Sequence, residues 1–223
     1  MSVLKESAVH KLASKFIVIE GLEGAGKSTA ISYIGKWLAL QNMPAEKVTY
    51  TREPGGTELA EKMRDIVKVE VEGEVLQDKA ELLLMYAARV QLVEHTIKPA
   101  LADGKVVIGD RHNYSSLAYQ GGGRGIDLKL IEDIKQVALG DFKADFTLYL
   151  DIDPQLGLSR ARGRGELDRI ERQAIDFFQR TRDVFISLAE NDANAVTIDA
   201  GQTPELVEKA VFAQLDKWLT ELA

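Results

Sequence analysis

Phe16-Ile-Val-Ile-Glu-Gly-Leu-Glu-Gly-Ala-Gly-Lys-Ser-Thr-Ala30 is the stretch on which the fold turns. Phe16 to Ile19 is a short apolar run rich in β-branched residues and reads as a buried strand. Gly21, Gly26, Lys27 and Ser28 follow with P-loop spacing, and Ala30 to Leu40 carries a helical pattern with Ile31, Ile34, Trp37 and Leu38 inward. Strand, glycine-rich loop and helix in that order form the setting in which backbone N–H groups close around phosphate oxygens, aided by the positive end of the new helix. Gly21, Leu22, Glu23, Gly24, Ala25, Gly26, Lys27, Ser28 and Thr29 are therefore the expected nucleotide-binding loop. Lys27 is expected at the β/γ-phosphates and Ser28 on Mg²⁺. These residues predict that the chain binds a nucleoside triphosphate.

Downstream, apolar runs alternate with helical stretches. Strands are expected at Val48–Arg52, Lys105–Asp110, Phe146–Asp151 and Ala195–Asp199, and helices from Thr57 to Val69, Lys79 to Leu101, Tyr114 to Tyr119, Leu128 to Leu139, Pro154 to Arg162 and Pro204 to Leu222. In the long helix, Leu83, Tyr86, Val90 and Val93 recur at helical spacing, and Gly121 to Gly123 read as a helix stop. The alternation predicts an α/β, P-loop NTPase fold: a five-stranded parallel sheet with helices on both faces and a short lid. Residues 1–14 are expected to be a flexible extension, and 15–223 a single domain. Ligand-binding groups belong past the C-terminal ends of the strands, where Glu23, Arg52, Asp110, Arg111 and Asp151 stand.

Composition narrows the class. The 223 residues are 45% hydrophobic and 28% charged, ordinary for a globular domain. The net charge of −7 argues against nucleic acid as a partner. No apolar run approaches the roughly 18 residues of a membrane span, and Met1 to Lys15 carry no apolar signal core. The absence of cysteine fits a reducing cytoplasm, and the three histidines lack zinc-ligand spacing.

Several side chains carry chemistry by type and place. Asp110 closes an apolar strand, as the Mg²⁺-binding acid of a P-loop enzyme does, and Arg111 beside it suits a phosphate. Glu23 fits a sugar hydroxyl or a hydrated Mg²⁺, and Arg52 is a second candidate phosphate clamp. Ser159 to Arg172 holds five arginines and three acids around Gly163 and Gly165, a basic hinged segment that reads as a lid over about 159–172.

Taken together, the chain resembles the thymidylate kinases, and their bacterial branch in particular. The matching motifs are the 16–29 stretch, Thr51-Arg-Glu-Pro-Gly-Gly56, Tyr86-Ala-Ala-Arg-Val-Gln91, Asp110-Arg-His112, Ala118-Tyr-Gln-Gly-Gly-Gly-Arg-Gly125 and Arg162-Gly-Arg-Gly-Glu-Leu-Asp-Arg-Ile-Glu171. The resemblance implies transfer of a phosphoryl group from ATP-Mg to dTMP in dTTP biosynthesis, in the cytoplasm, by a homodimer. It implies that Arg52 and Arg111 hold the acceptor phosphate, Arg89 bonds thymine O4, Ser116 and Gln120 contact the base, Tyr119 sits where a ribose 2′-OH would go, and Glu23 meets the 3′-OH. It also implies a cis Glu53–Pro54 bond. One branch of the family carries an arginine in the P-loop itself; here that position is Gly24, so the catalytic arginine is expected from the lid, with Arg162 and Arg164 the first choices and Arg160 and Arg169 unranked against them. The family commonly places a Phe over thymine where this chain has Met85, and the neighbouring Tyr86 competes for that role because adjacent helical residues point about 100° apart. Rival functions are a kinase for another nucleoside monophosphate, a P-loop switch or regulatory ATPase, and an inactive nucleotide-binding module. No Asn-Lys-x-Asp or Leu-Ser-Gly-Gly-Gln motif supports the second.

Overall fold

The computed structural model describes residues 8–163 and 169–222. Strands β1 (Phe16–Gly21), β2 (Val48–Arg52), β3 (Val106–Asp110), β4 (Phe146–Asp151) and β5 (Ala195–Asp199) form one parallel sheet in the order β2-β3-β1-β4-β5. All six residues of β1 are buried, because β1 lies at the centre with helices on each face. Its side chains alternate between the two layers. Ile17 and Ile19 pack among residues of α1 (Lys27–Leu40), α8 (Ile175–Glu190) and α9 (Pro204–Glu221). Phe16 and Val18 pack with Leu82, Tyr86 and Leu92 of α3 (Asp78–Leu92) and with Ile131 and Leu139 of α6 (Leu128–Leu139).

The order of the strands reverses at β1, and in such sheets the crevice beyond the strand ends is the ligand site. Register brings the edge of this crevice level: Ile19 lies opposite Asp110, and Asp110 opposite Arg52. The remaining helices are α2 (Glu58–Lys68), α4 (Lys98–Ala102), α5 (Asn113–Ser116) and α7 (Pro154–Arg162). Thr57 caps α2 by accepting from the Ala60 amide at 3.2 Å, and Asp153 caps α7 by accepting from Gln155 at 2.9 Å.

Four expectations are corrected. Residues 8–12 are helical rather than frayed; Leu12 is fully buried in the core, and Lys11 Nζ donates to the Leu222 carbonyl, tying the two ends of the chain together. The single helix expected over Lys79–Leu101 is α3, a π turn at Val93–Ile97 and α4. Pro99 has no N–H and its ring crowds the carbonyl four residues back, and the wider π turn before it accommodates both. The buried stripe of α3 is Leu82, Met85, Tyr86, Arg89 and Leu92, whereas Leu83 is 57% exposed. Finally, Gly121 to Gly123 do not lie beyond the helical run but are its last three residues. A π segment, Leu117–Gly123, runs through them. A Cβ at Gly122 would lie 2.6 Å from the Arg180 carbonyl oxygen, and one at Gly123 would lie 2.4 Å from Phe177, so these glycines allow close approach of α8.

Candidate active site

The cleft at the switch point is lined by the P-loop, the ends of β2 and β3, α2, α3 and the π segment. The P-loop is shaped by where its side chains go. Leu22 and Ala25 are buried in the core, which leaves the backbone to face the cleft. Gly24 has φ of 74°, and a Cβ there would sit 2.0 Å from the Gly157 carbonyl oxygen of α7. The loop is pressed so tightly on α7 that no arginine fits at this position. Gly26 takes the left-handed conformation and hands over to α1, whose first amides point to the cleft alongside exposed Ser28 and Thr29.

Lys27 donates to the carbonyls of Gly21 at 3.1 Å and Leu22 at 2.9 Å and lines the cleft. Burial, helped by the Arg111 charge, lowers its ammonium to about 8; Asp110, Glu23 and Glu20 oppose the shift. A bound polyphosphate would supply the counter-charge this lysine lacks.

Arg111 stands at the centre. Its Nη1 donates to Gly21 O at 2.9 Å and Ser115 Oγ at 3.1 Å; its Nη2 donates to Glu23 Oε1 at 2.7 Å and Tyr119 Oη at 3.3 Å. Its backbone φ is 73°, a left-handed conformation uncommon for a non-glycine residue. The turn is held by Arg111 N–H donating to Ile19 O at 2.9 Å and by His112 N–H donating to the buried Glu20 carboxylate at 2.8 Å. An unfavourable backbone kept in place by its surroundings marks a side chain whose direction matters. Burial alone would lower the Arg111 pKa, but Tyr119, Glu23, Asp110 and Glu20 outweigh it and keep the guanidinium charged. Tyr119 donates to Glu23 Oε2 at 2.6 Å, and burial raises its phenol well above 10.

Asp110 Oδ1 is buried without a hydrogen-bond partner, and Asp110 and Ser28 both line the cleft. An orphaned carboxylate oxygen beside a hydroxyl at a helix start suits a hard cation, so the residues present fit Mg²⁺. Asp151, the other strand-end acid, does not line the cleft. Both its oxygens accept from Arg182 at 2.8 Å and it also accepts from the Tyr149 hydroxyl, so it ties β4 to α8.

One wall of the cleft is formed by α3. Met85 lines it, whereas Tyr86 turns away and donates to Asn113 Oδ1 at 2.7 Å. Arg89 is 1% exposed; its Nε pairs with Glu53 and its Nη2 donates to His112 O and Ser116 Oγ, each at 3.0 Å. Its Nη1 is buried without a partner. Gln120 lines the cleft with its Oε1 equally unpartnered. Ser116 is fully buried and accepts from Arg89 Nη2, while the neighbouring Ser115 lines the cleft. The Glu53–Pro54 bond is cis.

Arg52 lines the cleft and pairs with Glu61, Nη2 to Oε2 at 2.9 Å. Arg64 and Lys68 of α2 line the same wall and were not anticipated. Their one signal is a basic pair spaced one helical turn apart, which solvated helices share. Among the arginines expected of the lid, Arg160 donates to Ala200 O at 2.9 Å and Arg169 to Val67 O at 3.0 Å and to Glu81. Arg162 ends α7 exposed, and Arg164 lies outside the described residues.

Comparison with known proteins agrees with this geometry. The thymidylate kinase family model matches residues 19–211. Thymidylate kinases from two strains of Vibrio vulnificus, YJ016 and CMCP6, are each 59% identical over 209 residues, covering 94% of this chain and 98% of theirs. A crystal structure of thymidylate kinase from Ehrlichia chaffeensis superimposes with a TM-score of 0.72 at 30% identity, over 92% of this chain and 99% of that one. A family model matching residues 19–211, and relatives 59% identical over nearly their whole length, place the chain in the thymidylate kinase family.

Proposed function

We propose that this cleft is where the enzyme, a nucleoside monophosphate kinase, transfers the γ-phosphoryl group of ATP to dTMP, giving the dTDP needed for dTTP. The observation that carries the reading is a pair of orphaned atoms: Arg89 Nη1, a donor, and Gln120 Oε1, an acceptor. Thymine presents the complement, an acceptor at O4 and a donor at N3, and a buried polar group left unpaired is costly. Met85 covers the face of the ring.

The P-loop amides and Lys27 hold the β- and γ-phosphates. Ser28 and Asp110 hold Mg²⁺, which when bound neutralises charge on those phosphates. Arg52 leaves Glu61 for the acceptor phosphate, within reach of Arg64 on the same wall. Arg111, already fixed between Glu23 and Gly21, lies between donor and acceptor and meets charge on the transferring group. Glu23 takes the sugar 3′-OH, and the Tyr119 hydroxyl closes the space beside it. No strong base is needed, because the attacking phosphate oxygen is already anionic; the protein supplies position and charge. With Gly24 unable to carry one, the further catalytic arginine comes from the lid, Arg162 or Arg164.

The working unit is a homodimer. Leu83, Val90, Ile134 and Val137 form an apolar face across α3 and α6, with Val137 91% exposed. No helix among the described residues is long and apolar enough to cross a membrane. Both substrates are small charged nucleotides, and we place the reaction in the cytoplasm.

A coupled ADP-release assay with dTMP, dUMP, UMP, CMP and GMP tests the function. The expected result is ADP release dependent on acceptor and fastest with dTMP. ADP release independent of acceptor, or preference for a purine or cytosine monophosphate, would overturn it.

A further inference from the structure

Glu81 stands in the first turn of α3, one turn before Met85 and two before Arg89, on the same buried row of the helix. It is 1% exposed, and a carboxylate so deeply buried must be fully engaged. Its Oε1 accepts from Gln120 Nε2 at 2.8 Å, and its Oε2 accepts from Arg124 Nη2 at 3.1 Å and from Arg169 Nη2. Gln120 thus has one end of its amide tied to Glu81 and the other, Oε1, buried and unpartnered.

An amide side chain can turn over and exchange its donor end for its acceptor end, and a neutral partner would tolerate either. An ionised carboxylate accepts only. We propose that Glu81 is a positioning residue: it locks the Gln120 amide with its acceptor toward the base, and so makes the site select an N3–H over an N3 lone pair. Burial would raise the Glu81 pKa, but hydrogen bonds from Arg169 and Gln120 and the charges of Arg124 and Arg169 outweigh it, so the carboxylate remains ionised. The two arginines are therefore part of the lock. Reversing the amide would replace a charge-assisted bond with oxygen facing oxygen. The inference rests on the reading that Gln120 meets the base.

Thymine and 5-methylcytosine separate the idea from general packing. They share ring and methyl group and differ in a 4-oxo group with N3–H against a 4-amino group with an N3 lone pair. The experiment measures kcat/KM for dTMP relative to 5-methyl-dCMP in wild type, Glu81→Gln and Gln120→Met, with folding checked by thermal melts. The uncharged Gln at 81 can bond either end of Gln120. The ratio is expected to fall about tenfold, the change that about 1.4 kcal/mol gives, mainly through a higher KM for dTMP with kcat kept. Gln120→Met should lower it too. An unchanged ratio in Glu81→Gln beside a lowered one in Gln120→Met overturns the role of Glu81 alone. An unchanged ratio in both overturns the base reading with it. Loss of activity equally with both acceptors is the mark of a purely structural residue and also counts against the proposal. Should Glu81→Gln not fold, Glu81→Gln combined with Arg169→Gln removes an uncompensated buried charge and is judged by the same ratio.

Discussion

Lys27 carries a testable electrostatic signature. Its ammonium is lowered by burial to about 8, against 10.5 for an ordinary lysine. Between these values the unfolded chain binds more protons than the folded one, so this group makes stability rise with pH from about 8 to 10.5; below about 8 the full cost of burying the cation is present. ATP reverses the balance, because its phosphates favour the charged form. Binding of ATP at about pH 9 should therefore take up a proton, measured by calorimetry in two buffers of different ionisation enthalpy. Lys27→Met should show no uptake and no turnover while melting as a folded protein. Equal heats in the two buffers for wild type, or near-normal kcat in the variant, would contradict the assignment. Lys27, Ser28, Asp110 and Arg111 were legible in the sequence because their chemistry is tied to local pattern: a glycine loop after a strand, an acid at a strand end. Glu81, Arg64 and Lys68 were not, since a carboxylate or a basic pair on a helix looks the same whether it faces water or a cleft.

At the scale of elements, the packing of α7 on the P-loop limits what the loop can carry. The P-loop lies against α7 at Gly24 and Gly157, closing that route for an arginine. Arg160 donates to the Ala200 carbonyl and Arg169 pairs with Glu81; Arg162 and Arg164 are the pair proposed to reach the transferring phosphoryl group. Arg162→Ala with Arg164→Ala should lower kcat by roughly 10²-fold or more, by comparison with arginine fingers. KM for dTMP should change little, since the interaction strengthens in the transition state. Wild-type kcat in the double variant would place the arginine elsewhere. Every expected strand is present: β1, β3 and β4 are nearly fully buried apolar runs, whereas the edge strands β2 and β5 are only partly buried and are marked by β-branched residues between turn signals. Two helical details did not follow. Gly121 to Gly123 have the sequence of a helix stop, but their lack of a Cβ serves contact with α8, a partner some sixty residues away that no local pattern reveals. The π turn before Pro99 is likewise a backbone response to one residue within an otherwise continuous helical pattern.

Across the whole molecule, the sheet order brings the P-loop at the end of β1 into one cleft with residues of α3 and the π segment, where the proposed reaction would bring two nucleotides together. The same α3 presents Met85 and Arg89 inward and Leu83 outward, so the proposed base contacts and the proposed dimer face are two sides of one helix. Val137→Asp should turn a dimer into a monomer in light scattering, with the fold retained because Val137 is 91% exposed. A wild-type protein that is already monomeric would contradict the dimer. The parallel α/β architecture was readable from alternation alone, whereas Leu12 in the core was not, because a short polar opening gives no sign of the packing it finds between distant elements. The most direct test of a single cleft holding both nucleotides in line is binding of an adenosine and a thymidine joined 5′ to 5′ through a polyphosphate bridge. It should compete with ATP and with dTMP alike and bind more tightly than either. Competition with ATP alone, leaving dTMP saturation untouched, would contradict the shared cleft.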